Sequence, residues 1–556
     1  MATPFELPEQ DLTLYDFIFA DTHVLEDQIW FLDAITGEHY TRHQVKDRTD
    51  ALARGLGCYV DSKAPPETHR VPHCFPPVVS IVSPNDIDFG TVVWACHKLG
   101  FTVAPSSALT TTNELIHQLR LTNATFIITH PVALSQVLAA ASEVGIPTEH
   151  VLVLDAQHAS SLITTEALIV AGAEPFVRGA SLEPLQLNSL SEPRVAFLCF
   201  SSGTTGLPKA VVIPHRAVIA NILQVTHSGC LHPRSSNPSK QDKALGVVPM
   251  SHMFGLLTLL HVCPYLGITS TIFPSMPPFD RFLDLVQKWQ INHLFLAPPL
   301  VNAFIKHPSA KGRDFGFFKT CLVAAAPLDG QSEESFHDLV NSTDFVISQG
   351  FGMTETAGLI TGPALGVAPH RGSVGRLMPF TESKVLSVSE VSAPRNSGRI
   401  RGELFVRGPQ LCLGYLDNEA ATKDAFDSEG FIRTGDEVEM DENGTIYIVD
   451  RIKSMIKCKG FQVSPSELEG HIREHSFVKD VAVVGRPDDR CGEVPAAFVV
   501  LSDSGVQRLQ DGDDIQESII RYVQANKSQH KWLADVRFLD CIPKLASGKV
   551  DTRELK

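Results

Sequence analysis

The sequence predicts an α/β fold, with a large N-terminal domain of several subdomains built on parallel-type sheets and a small α+β domain at the C-terminal end. Short β-branched runs at residues 78–82, 124–129 and 151–154 alternate with helical patterns at residues 113–121 and 282–290. This alternation is typical of βαβ units and parallel sheets. The chain of 556 residues also exceeds what one hydrophobic core supports, which predicts more than one domain.

The boundary between the two domains follows from a change of pattern past residue 400. Short strands with tight turns begin there, and Asn443-Gly444, between runs at 438–440 and 445–449, is a two-residue hairpin signal. We assign residues 1–450 to the N-terminal domain and residues 451–556 to a small mobile lid. The hinge is expected near residues 450–453, at Lys453. About a hundred residues are enough for a small core of their own.

The composition excludes several classes of function. Apolar residues make up 43% and charged residues 20% of the chain, which is typical of a globular protein. The net charge of −16 repels polyanions, so nucleic acid is not expected as a partner. The eleven cysteines show neither a CxxC pair nor zinc-ligand spacing, which indicates free thiols in a reducing compartment.

No targeting or membrane-spanning segment is expected. The N-terminus lacks a basic region followed by an apolar run, and Glu554-Leu555-Lys556 is not the S-K-L peroxisomal signal, so a cytoplasmic location is predicted. Residues 244–279 carry no Asp, Glu, Lys or Arg. Prolines, histidines and a glycine interrupt this stretch well short of the ~20 apolar residues that a spanning helix needs. Monomer and homodimer both stay open.

The strongest local signal is a phosphate-binding loop. An apolar strand at 195–200 is followed by Ser201-Ser202-Gly203-Thr204-Thr205-Gly206-Leu207-Pro208-Lys209. Glycines let the backbone expose N–H groups, hydroxyls donate hydrogen bonds, and one lysine supplies positive charge. It is not a Walker A loop, because Pro208 and Ala210 stand where that pattern needs Gly and Ser or Thr.

This segment resembles the pyrophosphate loop of the adenylate-forming superfamily, which includes acyl-CoA ligases, luciferases and peptide-synthetase adenylation domains. Four further motifs follow in the order of that superfamily. They are Pro249-Met250-Ser251-His252, Gln349-Gly350-Phe351-Gly352-Met353-Thr354-Glu355, Arg433-Thr434-Gly435-Asp436 with Asp450-Arg451-Ile452-Lys453, and Pro543-Lys544-Leu545-Ala546-Ser547-Gly548-Lys549. The chain is identified as a member of this superfamily.

The resemblance implies ATP, Mg²⁺ and coenzyme A as ligands. It implies that Glu355 binds the metal, that Thr354 contacts the α-phosphate and that Asp436 grips the ribose hydroxyls, roles that suit hard oxygen ligands and an acceptor-only carboxylate. Lys549 would stabilise the charge that develops during adenylation. The nucleotide site implied in full comprises Ser201, Ser202, Gly203, Thr204, Thr205, Gly206, Lys209, Gln349, Gly350, Phe351, Thr354, Asp436, Arg451 and Lys549.

Coenzyme A carries phosphates of its own, so a CoA ligase needs a second positive cluster in this acidic chain. Arg451, Lys453, Lys457 and Lys459 supply one within nine residues. The surrounding run resembles that of plant 4-coumarate:CoA ligases and beetle luciferases. By that likeness Lys459 and Gly460 contact CoA, while the side chains of Lys457 and Gln462 act in the second half-reaction.

The same resemblance implies an apolar acyl pocket. Its members would be His252, Phe254, Thr258, Ala325, Gly350, Gly352, Gly358 and Leu359. Phe254 replaces the tyrosine usual in 4-coumarate ligases, and Ala324 stands where a glycine is usual. We therefore expect an aryl or medium-chain acid with few polar groups, because a pocket without polar partners disfavours a substrate hydroxyl. His252 is expected to orient the acid carboxylate, which is already ionised at pH 7 and needs no general base.

Two other functions share this scaffold. A peptide-synthetase adenylation module would load an amino acid on a carrier protein, but such modules usually place an Asp for the amine in the region where this chain has Pro249-Met250-Ser251-His252-Met253-Phe254. A luciferase-type oxygenase would share every motif named above. The sequence favours the acid:CoA ligase over both.

Overall fold

The computed structural model of the protein confirms the α/β fold. It describes residues 12–20, 24–63, 77–154, 162–174, 193–201, 208–229, 231, 241–364, 367–387, 398–452, 454–458, 461–488, 491–527, 529–544, 550–552 and 554–555. The strands, in chain order, are β1 (Ile29–Asp33), β2 (His39–Thr41), β3 (Val78–Ser83), β4 (Thr102–Ser107), β5 (Phe126–Thr129), β6 (Val151–Val153), β7 (Val195–Ser201), β8 (Lys209–Pro214), β9 (Lys243–Gly246), β10 (Thr269–Ile272), β11 (His293–Leu296), β12 (Thr320–Val323), β13 (Val346–Gln349), β14 (Phe351–Met353), β15 (Gly358–Gly362), β16 (Arg376–Leu377), β17 (Glu382–Leu386), β18 (Ile400–Arg407), β19 (Gly414–Tyr415), β20 (Ile432–Met440), β21 (Ile446–Arg451), β22 (Ile456–Cys458), β23 (Phe461–Val463), β24 (Val478–Asp488), β25 (Gly492–Leu501) and β26 (Asp535–Phe538).

The helices alternate with these strands as predicted. They are α1 (Leu14–Phe19), α2 (Arg42–Lys63), α3 (Phe89–Lys98), α4 (Thr112–Thr122), α5 (Leu134–Val144), α6 (Thr165–Ala173), α7 (His215–Ser228), α8 (Met253–Leu257), α9 (Cys263–Leu266), α10 (Phe279–Trp289), α11 (Pro298–Lys306), α12 (Gly330–Val340), α13 (Glu419–Ala425), α14 (Pro465–Arg473), α15 (Asp503–Gln510) and α16 (Ile515–Asn526). The helix at 113–121 begins where Thr111 and Glu114 form a capping box and ends at Asn123, which has a φ of 49°. Capping groups of this kind satisfy the backbone groups that a helix end leaves open.

Two seven-stranded sheets carry the N-terminal part of the chain. One has the order β6, β5, β3, β4, β7, β8, β19, and the other the order β13, β12, β11, β9, β10, β1, β2. The neighbours from β6 to β7 are parallel, and β3 and β5 are buried along their whole length. Parallel strands covered on both faces read as continuous apolar runs, which is why these runs were visible in the sequence.

Smaller antiparallel sheets follow these two. Strands β14, β15 and β16 form one, and β17, β18, β20 and β21 form another. The predicted hairpin at Asn443-Gly444 joins β20 to β21, but the prediction of a two-residue turn is wrong. The loop runs from Asp441 to Thr445, closed by the Asp441 amide donating to the Thr445 carbonyl, and Asp441 also accepts from the Asn443 and Thr445 amides. These side-chain bonds stabilise a longer loop.

The described residues from 456 onward pack into cores of their own. Strands β23, β22, β25 and β24 form a sheet with β26 on β25, and α14 and α16 cover it through Leu468, Ile472, Ile519 and Val523. The larger cores contain only residues before 449.

The charge-free stretch at 244–279 folds as β9, α8, a π-helical turn at Thr258–Val262, α9 and β10. In the π turn the Cys263 amide donates to the Thr258 carbonyl five residues earlier. Among the described residues, no helix is long and apolar enough to cross a membrane. Every cysteine that the structure describes is a free thiol.

Three buried histidines lie together in the largest core, near β7. The rings of His97 and His215 are 4.6 Å apart, and Phe197 contacts both His97 and His261. All three histidines are at most 4% exposed. Burial lowers the pKa of His97 to about 3 and that of His261 to about 4, and places the pKa of His215 well below its ordinary value. The three rings are therefore neutral in the folded protein.

These histidines predict a loss of stability in mild acid. In the unfolded chain each has a pKa near its ordinary ~6.5, so the stabilisation is complete above that pH and is lost as the pH falls toward 4. At pH 5 one such histidine accounts for about 2 kcal/mol of lost stability. Urea unfolding at pH 7 and pH 5 should show that His261→Phe reduces the loss by about that amount, while exposed His39→Gln does not. An equal loss in both variants would contradict the prediction.

Candidate active site

The predicted phosphate loop connects two adjacent antiparallel strands. Strand β7 ends at Ser201 and β8 begins at Lys209, and these two residues are register partners. Ser202, Gly203, Thr204, Thr205 and Gly206 lie outside the described residues. At the far end of the loop the His117 ring donates from Nε2 to the Pro208 carbonyl at 2.9 Å. The loop therefore leaves the sheet at the carboxyl end of β7 and is anchored to α4 where it returns.

Lys209, Tyr415 and Glu355 lie in contact beside this loop. The Lys209 amine lies over the ring of Tyr415, 4.9 Å from its centroid, and the Tyr415 hydroxyl donates to Glu355 Oε1 at 2.9 Å. Tyr415 reaches this position because β19 pairs with β8, with Tyr415 opposite Val211. Burial and the nearby Glu355 carboxylate raise the pKa of Tyr415, so its hydroxyl remains a donor. Analysis of the sequence alone did not select Tyr415.

The turn that carries Thr354 and Glu355 is a single 3₁₀ turn between β14 and β15. Glu355 is 6% exposed, and its carbonyl accepts from the Cys412 amide at 2.8 Å. The turn closes at Ala357, which has a φ of 48°, and the Thr356 hydroxyl donates to the Met353 and Gly358 carbonyls. Backbone and side chain thus fix a buried carboxylate at the edge of the phosphate loop.

Several of the predicted acyl-pocket residues lie in or beside the β14–β15 hairpin. Gly352 is the register partner of Leu359, and a Cβ atom added at Gly350 would lie 3.2 Å from the side chains of Leu322 and Leu359. Helix α8, with Phe254, packs against β15. Ala325 follows β12 with a φ of 74°, a conformation that strains a residue with a side chain.

Two polar side chains predicted at this pocket, those of His252 and Thr258, make hydrogen bonds within the protein. Nδ1 of His252 accepts from the Phe254 amide at 3.3 Å, so a neutral ring carries its proton on Nε2. The Thr258 hydroxyl donates to the Phe254 carbonyl at 2.7 Å, and Thr258 is fully buried. The hydroxyl proton of Thr258 is therefore used within the protein, so Thr258 can shape a pocket but cannot donate a hydrogen bond to a ligand.

The side chain of Gln349, which the sequence predicted at the nucleotide, is bound inside the protein. It accepts from the Leu328 amide, donates to the Leu328 carbonyl, both at 2.9 Å, and donates to Glu333 at 3.2 Å. Gln349 is 4% exposed, so the side chain fixes the segment after Ala325. The nucleotide contact of Gln349-Gly350-Phe351 stays a prediction.

Asp436 and Arg451, both predicted at the nucleotide, are register partners on β20 and β21. Arg451 Nε lies 3.4 Å from Asp436 Oδ1, and Asp436 is 4% exposed. The Asp436 amide also donates to the Thr434 hydroxyl. The strand pairing brings together two residues that are fifteen positions apart in the sequence.

Of the predicted lid residues, only part lies within the described structure. Lys453, Lys459, Gly460 and Lys549 are outside it, and so are the side chains of Lys457 and Gln462. The backbones of Lys457 and Gln462 are register partners on β22 and β23. Their roles stay predictions.

Asp450 connects the end of the large domain to the lid. One of its oxygens accepts from the Ser464 hydroxyl at 2.5 Å, from the Ser466 hydroxyl at 2.9 Å and from the Ser466 amide at 3.1 Å. Ser464 is also the N-cap of α14. A second contact joins Lys306 on α11 to the Lys479 carbonyl.

Comparison with known proteins identifies the family. A family model described as AMP-binding enzyme matches residues 25–416, and one described as AMP-binding enzyme C-terminal domain matches residues 467–549. The chain belongs to the AMP-binding enzyme family. It is 34% identical to the acyl-CoA ligase AKT1 of Alternaria alternata, with 100% of this chain and 95% of that protein covered. It is 31% identical to 4-coumarate–CoA ligase 2 of Oryza sativa subsp. japonica, with 99% and 94% covered.

Solved structures of this family share the fold. The anthranilate CoA ligase AuaEII in complex with anthranoyl-AMP gives a TM-score of 0.79 at 20% identity, covering 98% of this chain and 96% of that one. ATP-bound MatB from Rhodopseudomonas palustris gives 0.78 at 21% identity, covering 98% of each. The predicted membership of the adenylate-forming superfamily is confirmed, and the matches support an AMP-forming acid–CoA ligase that uses ATP and CoA.

The contact between Tyr415 and Glu355 generates a prediction. Tyr415→Phe keeps the ring beneath Lys209 but removes the donor to the carboxylate, so acid-dependent exchange of pyrophosphate into ATP should fall about tenfold, as for lost support of a metal-binding group. Tyr40→Phe is the matched control, because Tyr40 donates to exposed Glu38 far from these motifs in the sequence. Equal exchange rates in the two variants would show that the Tyr415 hydroxyl has no part in the site.

Proposed function

We propose that this protein is an ATP-dependent ligase that joins an apolar aryl or medium-chain carboxylic acid to coenzyme A through an acyl-adenylate. The observation that carries the proposal is the contact of Lys209, Tyr415 and Glu355. It places a lysine from the phosphate loop and a buried carboxylate at one edge of the sheet, beside the hairpin that bears the acyl-pocket residues. A cation and a hard oxygen ligand together suit a nucleoside triphosphate with its metal.

Two steps follow from this assignment. The acid carboxylate attacks the α-phosphorus of ATP, the bond to the β-phosphate bridge breaks, and pyrophosphate leaves. The CoA sulfur then attacks the acyl carbon, its proton is lost to solvent, and AMP leaves with the bonding pair. In this scheme His252 orients the carboxylate, Thr354 and Lys549 stabilise charge on the α-phosphate, and Asp436 holds the ribose.

The residues present fit a Mg²⁺ ion that is shared with the nucleotide. Among the described residues no group of three His, Cys, Asp or Glu side chains could hold a metal. A single carboxylate, Glu355, with one oxygen bound by Tyr415, matches Mg²⁺, which commonly uses one or two carboxylates and fills its other positions with phosphate oxygens and water. When bound, the ion would offset the charge of the phosphates.

The pocket supports an apolar substrate. Phe254, Leu322 and Leu359 are buried, the Thr258 hydroxyl donates to the backbone, and the side chains of Leu322 and Leu359 lie close beside Gly350. Among these groups only the Thr258 oxygen is left to accept from a hydroxyl on the acid, so polar substituents elsewhere on the acid would lose their hydration. The relatives named as 4-coumarate–CoA ligases act on a phenolic acid by name, whereas these residues favour an acid without a phenol.

Product analysis tests the function. Incubation with ATP, CoA and a panel of aryl and medium-chain acids should release AMP and pyrophosphate in equal amounts with the thioester, because the predicted attack is on the α-phosphate. Stoichiometric ADP would contradict the adenylate mechanism. Transfer to a carrier protein but not to CoA, or light emission with a luciferin, would identify one of the two alternatives.

The predicted lid lysines should separate the two half-reactions. Lys549→Ala should abolish most acid-dependent pyrophosphate exchange, a loss of about 10²–10³ for a group stabilising the transition state, yet still convert a supplied acyl-adenylate to thioester. Lys457→Ala should do the reverse. Lys479→Ala, an exposed residue of the lid, is the control and should leave both rates unchanged. Equal losses in both assays for Lys549→Ala and Lys457→Ala would contradict a lid that serves two orientations.

A further inference from the structure

One residue of the acyl-pocket hairpin takes both of its backbone partners from a side chain. Leu359 lies in β15, and its amide donates to Asn221 Oδ1 at 2.8 Å while its carbonyl accepts from Asn221 Nδ2 at 2.8 Å. Asn221 lies in the middle of α7, 138 positions away in the sequence. Because a buried strand residue must satisfy its N–H and C=O, the amide of Asn221 takes the place of a neighbouring strand.

The Asn221 amide is itself held in one orientation. Nδ2 also donates to Gln224 Oε1 at 2.8 Å, and Gln224 donates to the Pro379 carbonyl and to Gln410. Asn221, Gln224 and Gln410 are fully buried. A buried network in which every member is bonded defines one geometry, so Asn221 places Leu359 at a fixed distance from α7.

The packing around Leu359 leaves little space for adjustment. A Cβ atom added at Gly358 would lie 2.6 Å from Asn221 Oδ1 and 2.4 Å from Leu257 Cδ2, and Gly358 has a φ of 128°. On the other side, the Leu359 side chain lies so close to Gly350 that a Cβ atom added there would be 3.2 Å from it. The hairpin is thus clamped between α7 and α8 on one side and Gly350 on the other.

We propose that Asn221 is a positioning residue that determines which acids the enzyme accepts, by holding Leu359 as the wall of the acyl pocket. The inference rests on the proposed function, because it needs the β14–β15 hairpin to line the acid site. Asn221 does not touch the acid. If it is lost, the Leu359 backbone seeks other partners, the wall moves, and discrimination against larger acids weakens.

The experiment compares the wild type and four variants with ATP, CoA and two acids, the best acid of the panel and its homologue with two more methylenes. Asn221→Ser and Asn221→Ala both remove the amide that bonds the Leu359 backbone, and the serine keeps a small polar side chain. Asn292→Ala is the matched control. Asn292 also accepts from a backbone amide, that of Lys243, and donates to the buried carboxylate of Asp242. It lies at the amino ends of the parallel strands β9 and β11. Leu359→Ala shows the effect of opening the wall directly.

For both Asn221 variants the KM of the preferred acid should rise about tenfold, in line with a buried backbone group left without its partner. Their preference for the shorter acid should fall toward that of Leu359→Ala, while the KM of ATP stays within about twofold of the wild type. Asn292→Ala should lose thermal stability but keep the acid KM and the preference.

Three other outcomes would each contradict either the proposed function or the role of Asn221. If the wild type forms no thioester with any acid, the proposed function fails and the inference falls with it. If the wild type is active and the Asn221 variants behave like Asn292→Ala, the function stands and the inference is wrong. If neither Asn221 variant folds, Asn221 serves stability alone, and the inference is likewise overturned.

Discussion

The hydrogen bond from Tyr415 to Glu355, with Lys209 over the tyrosine ring, brings three distant parts of the chain into contact. Glu355 is nearly buried, and a carboxylate in that environment needs a donor. Tyr415 supplies it across 60 positions of sequence and holds β19 beside the strand that begins at Lys209. The Thr354–Glu355 turn and the edge of the first sheet are therefore joined by this phenol together with the bond from the Cys412 amide to the Glu355 carbonyl.

Much of the large domain could be predicted because its signals are local. Strand β3 and helix α4 are visible as a buried apolar run and as a capped periodic segment. The motifs also selected Gly352 and Leu359, which are register partners in one hairpin, and Phe254 on a helix that packs against it. The turn between Asp441 and Thr445 was predicted one residue too short, because bonds from the backbone to the Asp441 side chain stabilise a loop of three residues between them.

The rest could not be predicted because it depends on long-range pairing. Nothing local distinguishes Asn221 from any other helical asparagine. Its partner Leu359 lies 138 positions later, on the middle strand of the three-stranded sheet. Gln349 belongs to a motif that implies a nucleotide contact, yet its amide meets Leu328 and Glu333. A sequence motif gives the position of a side chain along the chain, whereas its hydrogen-bond partner is decided by tertiary packing.

The π-helical turn at Thr258–Val262 has a consequence for the helical segment that runs from Met253 to Leu266. A π turn contains about one residue more than an α turn. It therefore takes up an extra residue while the segments before and after it keep their facing. Deleting one residue here would restore regular α winding and leave Phe254 and the buried face of α9 oriented as they are. A change of a single codon in length is thus absorbed locally at this turn, and the two buried faces keep their orientation.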